Sequence, residues 1–217
     1  NGDSICKNRK ESVNMEMRIG IQQAVTMAAF EQMLAAVLCG DYTLLYAEQL
    51  ARVSTHGEAR VMKIRTVINR LAKGNPLLPF MKEHEEEVRM AMQNASDKKV
   101  VFAAVVCATF PFAYQALSMM GKYLHVQDEI TTGLIKGKLS EIYGSVRTLE
   151  ISLNAVIPMF MEAGFVERKK VGFYSLGNVS HCSNFAIQLY RKAFLANNST
   201  YTEETLDVTN PFFEFIR

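Results

Sequence analysis

From Val100 to Gly121 the chain reads VVFAAVVCATFPFAYQALSMMG, 22 residues without a charged side chain. Such a run is not stable in water and must be buried, in a bilayer or at the centre of a core. Its length would span a membrane, but Thr109, Pro111, Gln115 and Ser118 interrupt it. Pro111 lacks the N–H that an interior helical turn needs, and Phe110 before it is biased toward extended backbone. The run therefore predicts two core helices that meet at Pro111, with other helices around them and no membrane contact.

Hydrophobic residues make up 49% of the chain, enough to enclose such a centre. After a polar segment, 1–12, expected to be a flexible tail, the residues Ile19, Val25, Phe30, Met33, Leu34 and Val37 recur at helical spacing,. They predict a helix over Val13–Leu38, stopped at Gly40-Asp41, and a second over Tyr42–Val53. Ser54 or Thr55 is placed to cap a third helix, with Glu58 completing a capping box after Thr55. In that helix Val61, Ile64, Val67, Ile68 and Leu71 share one face, while Arg60, Lys63, Arg70 and Lys73 form a basic stripe beside it,. The stripe reads either as a solvated face or as part of a nucleic-acid surface. Gly74-Asn75-Pro76 ends the helix. Glu83 to Glu87 read as an acidic helix start, and Asp97 as the cap of the apolar run. Together 13–125 are expected to form a helical bundle.

Beyond it, 126–178 change character. A short helix with Leu139, Ile142 and Tyr143 turned inward precedes a Gly144-Ser145 turn. A longer helix follows, with Leu149, Leu153, Val156, Ile157 and Phe160 on its apolar face. Ala163-Gly164 stops it, and two β-prone runs, Phe165–Arg168 and Gly172–Leu176, flank Lys169-Lys170-Val171,. The pattern predicts an antiparallel hairpin, with Lys169 and Lys170 at the turn and Val166 and Phe173 packed on the helix. The order resembles the winged-helix superfamily, carried by Leu139-Ser140-Glu141, Gly144 and Glu162-Ala163-Gly164-Phe165-Val166-Glu167-Arg168. Pro158 departs from the pattern and would kink the recognition helix or end it near Ile157. The remaining 179–217 are read as a C-terminal helix and tail. The expected class is mainly α: a helical bundle followed by a winged helix-turn-helix module with a short β-hairpin.

A recognition helix presents its N-terminal residues to base edges. Here those are Ser145, Arg147, Thr148, Glu150, Ser152 and Asn154. Arg147 suits guanine, Asn154 adenine, and the hydroxyls suit phosphates. Arg168, Lys169 and Lys170 suit phosphate or minor-groove contact. The whole chain is also similar to the small helical protein of BREX phage-defence systems. That similarity rests on ARVSTHGEARVMKIRTVINRL, with Ser54, Arg60, Arg65, Arg70 and Leu71, and on RTLEISLNAVIPMFMEAGFVER. It implies duplex-DNA binding without catalysis.

The net charge of +2 gives no global polycation field, so any DNA affinity must be local,. Phosphate loops, nucleophile elbows and metal-ligand spacings are missing from the sequence, and no cofactor is expected. Cys6, Cys39, Cys107 and Cys182 stand far apart and read as free thiols of a reducing, cytoplasmic protein,. The expected function is DNA binding in transcription regulation or phage defence. Its rival is a protein–protein adaptor that uses the winged helix as a docking surface.

Overall fold

The computed structural model describes residues 19–177, 179 and 181–216; the segment 1–12 read as a tail, and Cys6 with it, lie outside the described residues. Among the described residues helices α1 (Met27–Cys39), α2 (Leu44–Ser54) and α3 (Glu58–Lys73) come first. Short α4 (Leu78–Glu83) and α5 (Glu85–Gln93) lead to α6 (Ala95–Thr109) and α7 (Pro111–Leu124). Then follow β1 (Ile130–Thr131), α8 (Thr132–Tyr143), α9 (Arg147–Glu162), β2 (Val166–Lys170), β3 (Phe173–Leu176), α10 (Asn184–Asn197) and a 3-10 helix, Pro211–Ile216.

The uncharged run forms α6 and α7, and the break falls at Phe110-Pro111 with Pro111 at a helix start, where its missing N–H costs nothing,. Every side chain of α6 from Val100 to Thr109 is buried. That is the condition of a helix apolar all round: neighbours must cover each face. Helices α3, α5, α7, α9 and α10 do so. Among the described residues, no helix is long and apolar enough to cross a membrane.

Strand β3 lies between β1 and β2 and pairs antiparallel with both. The order here is β1–α8–α9–β2–β3, with α7 packed on α8, α9 and β1, so two helices and an antiparallel hairpin follow one another as a mainly α chain with a short hairpin requires. Two-residue β1 carries no β-rich run of its own and is visible only through its pairing of Ile130 with Tyr174. One continuous core runs from Ile21 to Phe215 through the bundle and the module alike.

Several local expectations need correction. Of the helix expected over Val13–Leu38, 13–18 lie outside the described residues, and among the described ones it starts at Met27, with Thr26 Oγ1 accepting from Ala29 N–H at 3.2 Å, so 19–26 form an extended strap. Ile21 and Val25 are buried, yet from extended backbone. No capping box forms before α3: Gly57 is its N-cap, and Glu58 instead binds Arg52 at 2.6 Å. Asn94, not Asp97, caps α6, and Asp97 accepts from the Ser183 N–H at 2.7 Å, tying α6 to the start of α10. The terminal segment ends in packing: Phe212, Phe213 and Phe215 are buried, and Tyr190 stacks on Phe212 with ring centres 4.2 Å apart while its hydroxyl donates to the Phe212 carbonyl at 2.7 Å.

Candidate nucleic-acid interface

Thr131 caps α8 by accepting from the Leu134 N–H at 3.1 Å. Ile135 and Leu139 anchor the helix inward, and Gly144, at φ 76°, lets the chain turn where an L side chain would be strained,. Tyr143 is half-buried, edge-on to Phe112 at 5.3 Å, but Ile142 is 41% exposed, against the expectation that it faces inward. In α9 the predicted apolar face is buried throughout. Pro158 neither ends nor divides the helix, which runs unbroken from Arg147 to Glu162. The backbone bond that Pro158 cannot make belongs to the turn at Asn154, which is solvent-exposed,.

The hairpin forms, with a shift. Its turn is the two-residue Val171-Gly172, with Gly172 at φ 78°, so Lys169 and Lys170 belong to strand β2 and not to the turn. A bulge between Arg168 and Lys170 rotates the strand there,. All three wing cations are exposed. Lys169 pairs with Glu167 at 3.1 Å, the Arg168 guanidinium sits 5.8 Å from the Tyr174 ring centre, and the Lys170 ammonium lies 3.9 Å above Phe173. Val166 is buried as expected, but Tyr174 takes the buried position on β3, and Phe173 is half-buried beneath Lys170. Val171 is 89% exposed at the tip.

One face of α8 joins this wing to the start of α9. The Thr132 N–H donates to the Gly172 carbonyl at 2.9 Å, fixing the wing turn against the first residue of α8. Thr132, Lys136 and Ser140 follow at four-residue spacing and share a helix face,. Lys136 and Ser140 then line a groove of about 490 Å³ together with Ser145, Arg147 and Glu150. Lys136 Nζ lies 2.7 Å from Glu150 Oε2, and this hydrogen bond holds the Glu150 carboxyl below the usual glutamate range, with Arg147 adding to the effect. Ser145 and Arg147 are exposed, and Thr148 is half-buried beside them. Val146, at the N-cap of α9, has no side-chain acceptor, so no side chain caps the first-turn N–H groups,. The sequence alone does not single out Lys136. Its only signal is the spacing from Thr132 and Ser140, which matters once the wing turn is known to rest on Thr132.

The other candidates divide. Ser152 is wholly buried, its hydroxyl donating to the Ile21 carbonyl, so it offers nothing to a phosphate. Asn154 is exposed and shares a shallow groove with Gln22 and Gln23 of the strap. On α3, Arg60 and Lys63 are exposed, and Lys63 lines a second groove that also contains Gln22. The strap thus runs between α3 and α9, with Lys63 on one side of Gln22 and Asn154 on the other. Arg70 leaves the basic stripe: it is half-buried, donates to the Gly20 carbonyl at 3.0 Å and sits 4.5 Å over the Phe110 ring. Burial pushes its guanidinium pKa down. Lys73 is exposed beside Tyr42, about 15 Å along the helix from Lys63,.

Among the described residues, no three His, Cys, Asp or Glu side chains gather where they could hold a metal ion. Comparison of the chain with protein-family models, with curated proteins and with solved structures finds no match.

Proposed function

We propose that this chain is a non-enzymatic duplex-DNA-binding protein of the cytoplasm, acting in transcription regulation or phage defence, the latter in the manner of BREX systems. The observation that carries the reading is the face of α8, with half-buried Thr132 and Ser140 on either side of exposed Lys136, that links the wing turn at Gly172 to the groove holding Ser145 and Arg147. A duplex laid on that face would meet Arg168, Lys169 and Lys170 from the wing and Lys136 from α8. Ser145, Arg147 and Thr148 would reach it from the start of α9. Phosphate contacts from the cations and hydroxyls would set position, and Arg147 would read a base edge. Arg60 and Lys63 would extend the contact across the strap. The strap occupies one flank of α9 at Ser152, so the first turn of α9 enters the groove and the middle of the helix does not.

Duplex binding by the intact chain across a salt series tests this. The affinity should fall steeply and linearly on a logarithmic plot, because each neutralised phosphate releases counterions. Weak binding that does not respond to salt would sink the proposal.

A second reading, a protein–protein adaptor, has its own support. Glu150 and Glu167 neutralise Lys136 and Lys169, and Val171, Val146 and Ile142 leave apolar surface around the same module. An adaptor of this kind would show little duplex affinity at any salt concentration.

A further inference from the structure

A groove of about 840 Å³, open to solvent on one side, lies away from this face, between the last turn of α7 and the segment that leads into the 3-10 helix. Its existence follows from Gly121. A Cβ at that position would lie 2.1 Å from the Pro211 carbonyl oxygen, so only glycine lets the terminal segment rest directly on α7. The two walls part beyond that contact. Tyr123 and Val126 line one, Val208 and Pro211 the other. Val126 is 74% exposed and Val208 53%, an arrangement that leaves branched apolar side chains on facing walls in contact with solvent. Across the cavity, His125 Nδ1 and Glu214 Oε2 approach to 3.1 Å, so the carboxylate already has a partner in the protein. Lys122 is exposed on the rim and makes no ion pair among the described residues.

We propose that this cavity binds a small amphipathic monoanion, a carboxylate or sulfonate on an aromatic or branched aliphatic body. The volume falls within the range of roughly 300–1,000 Å³ typical of small-molecule sites, which are mostly apolar with a few polar groups that fix orientation. The body of the ligand covers Val126 and Val208. The anionic group meets Lys122, the cation on the rim without a carboxylate partner, and a cationic ligand would have to compete with His125 for the Glu214 carboxylate.

The test uses the intact chain without DNA, so its outcome is independent of the duplex reading. Anilinonaphthalene sulfonate serves as the anionic probe and phenylnaphthylamine as its neutral counterpart, both followed by calorimetric titration. One saturable site is expected, with the anion bound roughly fivefold tighter than the neutral probe, the value of one partly exposed charge contact. Lys122→Ala should erase that preference and leave the neutral probe unaffected. Val208→Trp, at a half-exposed position that tolerates bulk, should fill the cavity and weaken both probes by more than about tenfold. Lys170→Ala, on the wing, should change neither. Cooperative thermal unfolding of each variant separates this site from the binding of such probes to loosened chains. Equal affinity of the parent for the two probes, undiminished binding by Val208→Trp, or no saturable binding would each overturn the proposal.

Discussion

Arg70 Nη1 donates to the Gly20 carbonyl oxygen at 3.0 Å, and its guanidinium covers the Phe110 ring at 4.5 Å. One side chain thereby joins the strap, α3 and the break between the two core helices. Arg70→Ala should cost about 2–3 kcal/mol in denaturant unfolding, because it removes a charged hydrogen bond and a shielded cation–π interaction at once. Arg70→Lys should recover only part, because an ammonium cannot lie flat on the ring while bonding the carbonyl. A Cβ at Gly20 would fall 2.0 Å from the same guanidinium nitrogen, so Gly20→Ala and Arg70→Ala should be non-additive in a double-mutant cycle,. Simple additivity of the two would show that the clamp is not there.

Arg70 also shows where sequence reasoning stops. Its position on α3 follows from spacing alone, and the same spacing correctly separates Val61, Ile64 and Leu71 from Lys63. Nothing local says that an extended strap will arrive from 50 residues away and take Arg70 out of the stripe. Ser152 is misjudged for the same reason: its partner, Ile21, is 131 residues distant. The strap itself reads as helix because Ile19 and Val25 join the apolar pattern that continues through Phe30 and Met33, and periodicity reports burial before it reports conformation. What is legible depends on short-range chemistry. Pro111 sets the break, Gly144 the turn, and Gly172 the hairpin. Lys169 and Lys170 lie in the strand, a residue or two from where the pattern puts them, because a bulge shifts the register without marking the composition.

Tyr143 gives a prediction with a sign. Burial against Phe112 raises its phenol from 10.0 to about 12. In the unfolded chain the phenol ionises near its ordinary value, so at pH between 10.0 and about 12 the unfolded state has lost a proton that the folded state keeps,. The contribution of Tyr143 to stability is therefore full below 10.0 and declines as pH rises toward 12. Tyr143→Phe should remove part of that decline, leaving the parts due to Tyr42, whose phenol burial likewise raises to about 12, and to Tyr114, Tyr190 and the Cys107 thiol, which burial also pushes up. Urea unfolding on both sides of the ordinary tyrosine pKa measures it; an unchanged alkaline slope in the variant would count against the burial.

Two glycines in helices should respond in opposite directions to the same substitution. At Gly121 a Cβ would press on the Pro211 backbone, which cannot rotate away. Gly121→Ala should destabilise by about 1–3 kcal/mol despite a gain in helix propensity, since overpacking moves the terminal segment and its buried Phe212,. At Gly137 in α8 a Cβ would meet nothing within 4 Å. Gly137→Ala should stabilise by about 0.5–1 kcal/mol through propensity alone. Denaturant midpoints that move in the same direction for both would contradict the close approach at Gly121.

The wing and the start of α9 should separate in their effects on DNA. Lys169→Ala with Lys170→Ala removes two exposed cations whose partners are Glu167 and the Phe173 ring, so folding stability should change by less than about 1 kcal/mol,. Duplex affinity should fall for every sequence, more at low salt than at high, and the logarithmic salt slope should shrink by about two phosphates' worth of released counterions. Arg147→Ala should instead compress the difference between preferred and random duplexes, by about 1–3 kcal/mol if its guanidinium meets a guanine edge. Lys136→Ala carries a further test, because it frees Glu150 as well as removing a cation. Its loss of affinity should exceed that of Lys136→Ala combined with Glu150→Gln, where the repelling carboxylate is gone. Should the wing double variant bind duplex like the parent at every salt concentration, the wing is not a DNA contact. Should the parent also fail to bind, the docking reading of this face becomes the better one.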